Sequence, residues 1–303
     1  MSITTNKSFV DLYFKLVETD GLQRKGLEFL VEGYEQLPNP FNPEISDSDK
    51  YAVLDKVHSD FWYFVKEIAL VPRQGLGFAR FSINKTNLAS LICMCDGINV
   101  FASQPRQLYG TMTRVVFSLW KLLSSDDNVC VISERLEDCK FFKEKIKLMN
   151  NLLPEYIRLD DSVIESRVWS RNSRGSIAFI EYFKGLIVIN DLEHMSSISR
   201  YIKKIRDEGK FRDGSIQVTA NSTVGRLDSN GRFVADKIIA GSKKWNDEHF
   251  RSKYLRDKIK TEFVYVIYPY TELVDNPEEW LKLQSLYMNN NPVAISKELL
   301  LER

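Results

Sequence analysis

The chain has 303 residues, of which 44% are hydrophobic, and this length is enough to bury a large core. Lysine and arginine number 42 and aspartate and glutamate 41, so the formal net charge is +1. A chain this close to neutrality has no global electrostatic attraction to nucleic acid, although it can carry a local basic surface. The length favours two domains, or one large domain with a satellite.

The cysteines and histidines are few, and they limit the metal and redox chemistry of the chain. None of the four cysteines forms a C-x-x-C pair, and Cys93 and Cys95 lie in an apolar run. We expect all four, with Cys130 and Cys139, to be reduced core residues of an intracellular protein. No zinc site is expected. The N-terminus is polar and no apolar run reaches about 18 residues, so neither secretion nor a membrane span is expected.

Residues 1 to 70 read as mostly helical. The first helix is predicted by apolar residues at helical spacing, from Phe9 to Val17. The segment Leu37–Pro43 contains three prolines and is predicted to be a loop. A second helix is predicted over Val57–Val65, and the pattern breaks at Gly75–Gly77.

From residue 78 the pattern alternates between strands and helices, which indicates an α/β fold with a parallel sheet. Apolar runs such as Leu186–Ile189 fit central strands covered on both faces. The predicted strands are Val100–Ser103, Val129–Ser133, Ile177–Glu181, Leu186–Asn190 and Ser215–Ala220, and the predicted helices are 87–96, 111–124, 136–151 and 195–208.

The composition and hydrophobic pattern of the sequence change after Gly241. The charged stretch Trp245–Lys260 is predicted to be helical, and Phe263–Tyr268 to be a strand. A last helix over 276–290 opens with Asn276-Pro277, a capping residue followed by proline at the first helical position. We therefore divide the chain into an N-terminal helical segment (1–77), a core (78–241) and a C-terminal lid subdomain (242–303).

Residues 98–120 carry the most functional information. A short apolar run stops at a polar turn, and an amphipathic helix follows. This is the frame of a phosphate-binding loop, in which backbone N–H groups at a helix N-terminus receive an anion. The turn lacks a lysine at the position where a phosphate needs one.

Four stretches resemble the ATPase half of the large terminase subunit of tailed bacteriophages, the DNA-packaging motor. The first is Gln104–Thr113, where the family has Arg-Gln-x-Gly-Lys-Ser/Thr after a strand. Arg106 and Gln107 match this motif, and Thr111 falls on the hydroxyl position that holds magnesium. Tyr109 replaces the glycine and Gly110 replaces the lysine.

Two further stretches match in order along the chain. Phe81–Leu88 resembles the adenine-reading segment, whose glutamine would align with Asn87. Thr219–Ser229 resembles the coupling motif, a Ser-Thr-Pro-Gly-x-Leu-Asp type sequence after a strand, in which Val224 replaces the proline. The resemblance assigns coupling of phosphate state to DNA movement to Ser222 and Thr223.

The fourth stretch, Leu186–Glu193, resembles the strand that the family ends with Asp-Glu. One register places Asn190 and Asp191 on those positions, which alters both carboxylate roles. The other places Asp191 on the metal and leaves Glu193 as a shifted base for the attacking water. The apolar run favours the first register slightly, and both stay open.

The resemblance covers about residues 78 to 303, including a lid region with Trp245, Phe250 and 296–301. It implies a phosphate-loop NTPase fold that binds ATP and Mg²⁺. The implied catalytic residues are Asp191, Glu193 and Arg106, and the implied metal ligands are Thr111 and Asp191. The implied nucleotide-binding residues are Asn87, Gln104, Arg106, Gln107, Gly110 and Thr111. The family's nuclease domain would follow the last residues, so we expect this chain alone not to cut DNA.

The missing lysine predicts a terminase-like protein that is weak or inactive as an ATPase, since losing one preorganised donor typically costs about 10²–10³ in rate. Arg106 is the best substitute cation. Two alternatives stay open: a non-catalytic scaffold or partner domain in a phage assembly, and the ATPase half of a split terminase. The expected partners are a phage portal or other terminase chains, double-stranded DNA and further copies of the chain, in the host cytoplasm and away from membranes.

Simpler interpretations exist for the same residues. Gln104–Thr113 could be an ordinary strand-to-helix turn, and Asp191 with Glu193 could cap a following helix. Ser222 and Thr223 could make local backbone bonds, and Asn87 could be a helix cap. The three histidines, His58, His194 and His249, read as structural. The basic runs 200–212 and 243–260 read as solvated helix faces that also permit DNA contact.

Overall fold

The computed structural model describes residues 3–73, 77–225, 229–251, 259 and 261–302. Three predictions fall partly outside these ranges: the break at Gly75–Gly77, the coupling stretch at 226–228, and the charged stretch at 252–258 and 260. No helix in the described ranges is both long and apolar enough to cross a membrane.

The N-terminal segment is helical and ends in a small hairpin. Its helices are α1 (Lys7–Phe14), α2 (Glu28–Val31), α3 (Asp47–Ser59) and α4 (Phe61–Tyr63), and π-helical turns continue α1 and α4 over Lys15–Thr19 and Phe64–Ile68. Strands β1 (Leu70–Arg73) and β2 (Gly77–Arg80) pair antiparallel.

The predicted helix over Val57–Val65 is broken at Asp60. This residue is extended, and its carboxylate accepts the N–H groups of Trp62 and Tyr63. Because Asp60 caps a new helix start, α3 ends one residue earlier at Ser59. The prediction was therefore wrong about continuity and right about helical content on both sides.

The main sheet of the described chain has seven strands, all parallel, in the order β5-β4-β6-β7-β3-β9-β8. The predicted α/β parallel architecture is confirmed. Helices cover both faces, and apolar strand residues such as Leu186 and Ile187 pack into two separate core clusters, one on each side. The strands are β3 (Val100–Ser103), β4 (Asn128–Ser133), β5 (Val168–Asn172), β6 (Gly185–Asn190), β7 (Ile216–Ser222), β8 (Lys243–Lys244) and β9 (Val264–Ile267).

The helices of this region follow the predicted positions closely. Near the predicted four lie α5 (Lys85–Cys95), α6 (Gly110–Ser124), α7 (Leu136–Asn151) and α9 (Ser199–Asp207). The remaining helices are α8 (Asp161–Arg167), α10 (Lys210–Asp213), α11 (Asn230–Gly241), α12 (Tyr270–Leu273), α13 (Pro277–Tyr287) and α14 (Pro292–Ala294), followed by a π-helical turn over Ile295–Leu299.

The predicted strand Ile177–Glu181 is wrong. Residues Ala178–Glu181 form a 3₁₀ turn whose Phe179 and Ile180 pack into the core from outside the sheet. The edge strand is β5, which pairs with β4. An apolar run of this length is compatible with either structure, so periodicity alone could not separate them.

Two other expectations need correction. Cys95 is exposed, whereas Cys93, Cys130 and Cys139 are buried. In the charged stretch after Trp245, the described part forms only a short 3₁₀ turn over Asp247–Arg251. The segment 242–303 also contributes β8 and β9 to the main sheet, and its division from the core as a lid subdomain stays a prediction.

A lysine ties the N-terminal segment to the C-terminal part of the chain. The Lys85 ammonium is buried at the start of α5 and pairs with Asp20, Asp247 and Glu272 at 2.9 to 3.2 Å. These partners come from three separate segments. The ammonium therefore fixes the position of α5, which lies beside the predicted phosphate-binding stretch Gln104–Thr113, called the phosphate turn below.

Candidate functional site

The predicted site residues meet at the carboxyl edge of the central strands. Ser103 at the end of β3 is in register with Ser222 of β7, and Asn190 of β6 is in register with Asn221 of β7. In parallel α/β sheets, ligands bind in the crevice outside the carboxyl ends of the strands. The turn after β3 leads directly into α6 at this edge.

The backbone of this turn has the shape of an anion cradle. Gln107 and Tyr109 are in the left-handed conformation, with φ of 66° and 64°. In the described structure, the backbone N–H groups of four consecutive residues, Tyr109 to Met112, have no hydrogen-bond acceptor. Such donors at a helix N-terminus attract an anion, and the helix dipole adds to the attraction. Tyr109, which aligns with the glycine of the family motif, thus adopts a left-handed conformation that glycine takes most readily.

Replacing exposed Gln107 by glycine tests this backbone strain. We expect Gln107→Gly to raise the free energy of unfolding by about 1 kcal/mol, because a left-handed residue other than glycine carries a steric cost of that order. The melting temperature should rise by about 2 °C, measured by thermal denaturation. Gln107→Ala keeps the Cβ, so this variant should leave the melting temperature unchanged. Equal stabilisation by both variants would contradict strain at this position.

The Gln104 side chain lies over the start of α6. Its Nε2 donates to Asn87 Oδ1 at 2.9 Å and to the Leu108 carbonyl. A Cβ built on Gly110 would lie 2.9 Å from Gln104 Oε1, which is closer than real Cβ contacts allow. The Gln104 side chain therefore occupies space that a side chain at position 110, such as the family's lysine, would need.

Asn87 belongs to the same hydrogen-bond network. The residue is buried, its Nδ2 donates to the Leu108 carbonyl at 3.3 Å, and its Oδ1 accepts from Gln104. Its backbone N–H donates to Asn84 Oδ1, so Asn84 caps α5. The Asn87 amide therefore holds the turn after β3, and its expected contact with a base stays a prediction.

The arrangement around β6 favours the first of the two registers. Thr111 Oγ1 donates to Asn190 Oδ1 at 3.3 Å, so Asn190 faces the hydroxyl assigned to magnesium. Asp191 follows in a left-handed conformation with φ of 58°, and it is exposed at this edge. Desolvation by the surrounding protein raises the pKa of the Asp191 carboxyl, while the positive charge of Arg106 acts in the opposite direction.

Glu193 is completely buried. Its Oε2 accepts the Gly225 N–H at 2.9 Å and lies 3.5 Å from Arg232 Nη1. A Cβ on Gly225 would lie 2.3 Å from the Glu193 carbonyl oxygen, so only glycine allows this approach. Glu193 joins the segment after β6 to the segment after β7, and its burial disfavours the predicted role as a base for a solvent molecule.

Ser222 and Thr223 lie between the two halves of the site. Ser222 Oγ accepts the Glu193 N–H at 3.1 Å, and the Ser222 carbonyl accepts the Gln104 N–H at 3.0 Å. Thr223 Oγ1 is 3.0 Å from Nε2 of His194. These two residues therefore contact both the phosphate turn and the segment after β6.

Arg106, the expected substitute for the missing lysine, is engaged elsewhere, and so are two lysines on the neighbouring helices α5 and α6. Arg106 Nε pairs with Glu298 Oε2 at 2.6 Å, and the Arg106 N–H donates to the Glu298 carbonyl. Lys121 pairs with Asp127, and Lys85 with its three carboxylates. The C-terminal turn over Ile295–Leu299 also accepts the Val224 N–H through Lys297, so it touches both the phosphate turn and the coupling segment.

The sequence reasoning gave no role to Arg114, or to Asn221, whose Nδ2 lies 3.8 Å from a Cβ built on Gly110. Arg114 is fully buried, and its guanidinium donates to the carbonyls of Gly110 and Ala220 at 2.8 and 2.7 Å. Burial lowers the pKa of this guanidinium to about 9. An arginine one turn after Gly110, within an otherwise apolar helix face, was the sequence signal that could have identified it.

The described residues contain no group of three or more His, Cys, Asp or Glu side chains able to hold a metal.

Comparison with solved structures bears on the fold of this chain. The large terminase of bacteriophage HK97 superimposes with a TM-score of 0.52 at 13% sequence identity, over 82% of this chain and 55% of that one. The fold is that of a bacteriophage large terminase. The chain thus spans about half the length of the HK97 terminase.

Other similarities are weaker. The ATPase domain of the Thermus phage P74-26 large terminase and a single-residue mutant of that domain match at 12% identity, with TM-scores of 0.45 and 0.47, over 72% of this chain and 93% of theirs. No protein-family model matches the sequence, and no curated protein matches it. The terminase-type fold that the resemblance implied is confirmed, and the roles of its residues stay predictions.

Proposed function

We propose that this chain is the ATPase-like part of a phage DNA-packaging terminase, which binds phosphate groups at the turn after β3 and hydrolyses ATP slowly or not at all. The single observation that carries the proposal is the row of four N–H groups, Tyr109 to Met112, for which the described part of the chain offers no acceptor, at the carboxyl edge of β6 and β7. Their position in a terminase fold supports a nucleotide ligand.

The polar groups at the turn fit phosphate oxygens better than they fit Mg²⁺. Backbone donors suit an anion, but the metal position offers Thr111 Oγ1 and the neutral Asn190 amide. Mg²⁺ prefers carboxylate and phosphate oxygens, and Asp191 is the carboxylate that follows Asn190 directly. We therefore assign no catalytic step to a bound metal. Arg106 and Thr111 remain proposed nucleotide-binding residues, and Thr111 and Asp191 are the residues that would hold a Mg²⁺ ion bound with the nucleotide.

Hydrogen–deuterium exchange tests this proposal directly. Adding ATP should slow exchange of the amides between Tyr109 and Met112, and EDTA in place of Mg²⁺ should not abolish the effect. No protection of this segment at millimolar ATP would overturn the proposal. That outcome would favour the second candidate, a non-catalytic partner domain.

The partner-domain candidate rests on a separate observation. Gln104 fills the space next to Gly110, and Arg106 is paired with Glu298, so both side chains have partners within the chain itself. The test is co-elution of the purified chain with the terminase or the portal protein of the same phage. An ATP-binding half of a split terminase would both bind nucleotide and co-elute.

Contact with double-stranded DNA is a weaker part of the proposal. In helix α9, Arg200 and Lys203 are exposed, whereas Lys204 and Arg206 are paired with glutamates. The helix thus has few unpaired cations in the described structure. We expect such a surface to bind DNA weakly and with a strong dependence on salt concentration.

Releasing Arg106 should strengthen nucleotide binding. We expect Glu298→Gln to raise the affinity for ATP about tenfold, equivalent to about 1.4 kcal/mol, because Arg106 becomes available and a carboxylate next to the phosphate turn is neutralised. The measurement is isothermal titration with ATP. Glu302→Gln, on a carboxylate that accepts from Ser296 in the same segment, is the control and should have no effect. Equal affinities in all three proteins would show that Arg106 does not reach the ligand.

A further inference from the structure

We propose that the N-terminus of α6 selects an oxoanion that carries an O–H group, orthophosphate above all, and that Gln104 is the residue that selects it. The inference rests on the proposed function, since it names the ligand class of the same turn. The N–H groups from Tyr109 to Met112 supply donors for the oxygens of the anion.

Gln104 supplies an acceptor at the same place. The residue is 5% exposed, and its Oε1 is buried without a hydrogen-bond partner in the described structure. The orientation of the amide is fixed, because both groups that face Nε2, Asn87 Oδ1 and the Leu108 carbonyl, are acceptors. The unpaired oxygen therefore points to the start of α6, 2.9 Å from a Cβ built on Gly110.

A buried acceptor without a donor is costly, and a ligand that brings a hydroxyl removes this cost. Within the described structure no neighbouring side chain supplies this donor. The Arg114 guanidinium donates to the carbonyls of Gly110 and Ala220, Thr111 donates to Asn190, and Asn221 Nδ2 lies 3.8 Å from the same Cβ position. The ligand must then accept from the backbone N–H groups and donate to Gln104 Oε1. Hydrogen phosphate and hydrogen arsenate do both, whereas sulfate has no proton at neutral pH.

Titration of the unmodified chain with the three anions tests the idea. At constant ionic strength and without divalent cations, we expect phosphate and arsenate to bind with similar affinity. Sulfate should bind at least about tenfold more weakly, because the hydrogen bond to Gln104 is lost. Equal binding of sulfate and phosphate, or no binding of any of them, would overturn the proposal; the second outcome would mean that the turn holds only water.

A substitution at Gln104 tests whether this residue causes the preference for phosphate over sulfate. Gln104→Met keeps the length of the side chain and removes the acceptor, so phosphate should bind at least about tenfold more weakly and the preference over sulfate should disappear. Gln284→Met, at another buried glutamine, is the matched control and should keep the preference. A preference that survives in a folded Gln104→Met protein would refute the role of this residue.

The two proposals fail in distinguishable ways. If ATP protects the amides from Tyr109 to Met112 but sulfate binds as well as phosphate, the turn is a phosphate site without the selection by Gln104. If neither ATP nor any of the anions protects these amides, both proposals fall together.

Discussion

Gly110→Lys combined with Gln104→Ala is expected to raise ATP hydrolysis about 10² to 10³-fold above the unmodified chain, the usual value of one preorganised electrostatic donor. Gly110→Lys alone should gain little, because its Cβ would meet Gln104 Oε1 at 2.9 Å and Gln104 is held by Asn87 and Leu108. Phosphate release from ATP in the presence of Mg²⁺ measures both variants.

Two further variants show which features of the turn limit ATP hydrolysis. Gln104→Ala alone should not raise turnover, since it frees space without adding a cation. Adding Asn190→Asp to the double variant should raise turnover further, because a carboxylate beside Thr111 suits a metal better than an amide does. If Gly110→Lys alone were as active as the double variant, Gln104 would not be the obstacle.

Glu193→Ala should have the largest effect on stability. Removing one member of a buried ion pair typically costs about 3–5 kcal/mol, and the remaining pair between Arg232 and Asp236 places this variant at the low end of that range. Here the loss of the carboxylate would leave Arg232, which is 5% exposed, with Asp236 as its remaining ion-pair partner and the Gly225 N–H without its acceptor. Urea denaturation measures the change.

A surface glutamate provides the comparison. Glu181→Ala removes an exposed pair with Lys204 and should change the free energy of unfolding by less than about 1 kcal/mol. If Glu193→Ala were as mild as Glu181→Ala but abolished a measurable ATPase, Glu193 would be a catalytic base after all, and the shifted register would stand.

The sequence was most informative where backbone pattern alone decides the structure. The apolar run at Val100–Ser103 and the amphipathic helix after Gly110 led directly to β3 and α6, because burial on both faces leaves few other arrangements. The same reasoning failed at Ile177–Glu181, where apolar residues cover the sheet without joining it. A run of four or five residues carries no information about which of these two places it takes.

The site was less predictable than the fold, because its decisive contacts join residues far apart in the chain. The pairing of Arg106 with Glu298, and of Glu193 with Gly225 and Arg232, depends on how separate segments meet. The direction of the Gln104 side chain depends on Asn87 and Leu108 together. Motif alignment named Gln104 and Asn87, but it could not show that Gln104 fills the space of the missing lysine.

The position of β3 in the sheet has a consequence for how the chain folds. Val100 pairs on one side with Thr219 and on the other with Val264. Contacts this distant in sequence form slowly, because a long loop must close before they repay its entropy. During synthesis the middle of the sheet stays open until β9 has left the ribosome. In that interval the edge of β3 that later pairs with β9 has no partner strand. Slow or interrupted translation between β7 and β9 should therefore favour aggregation over native folding.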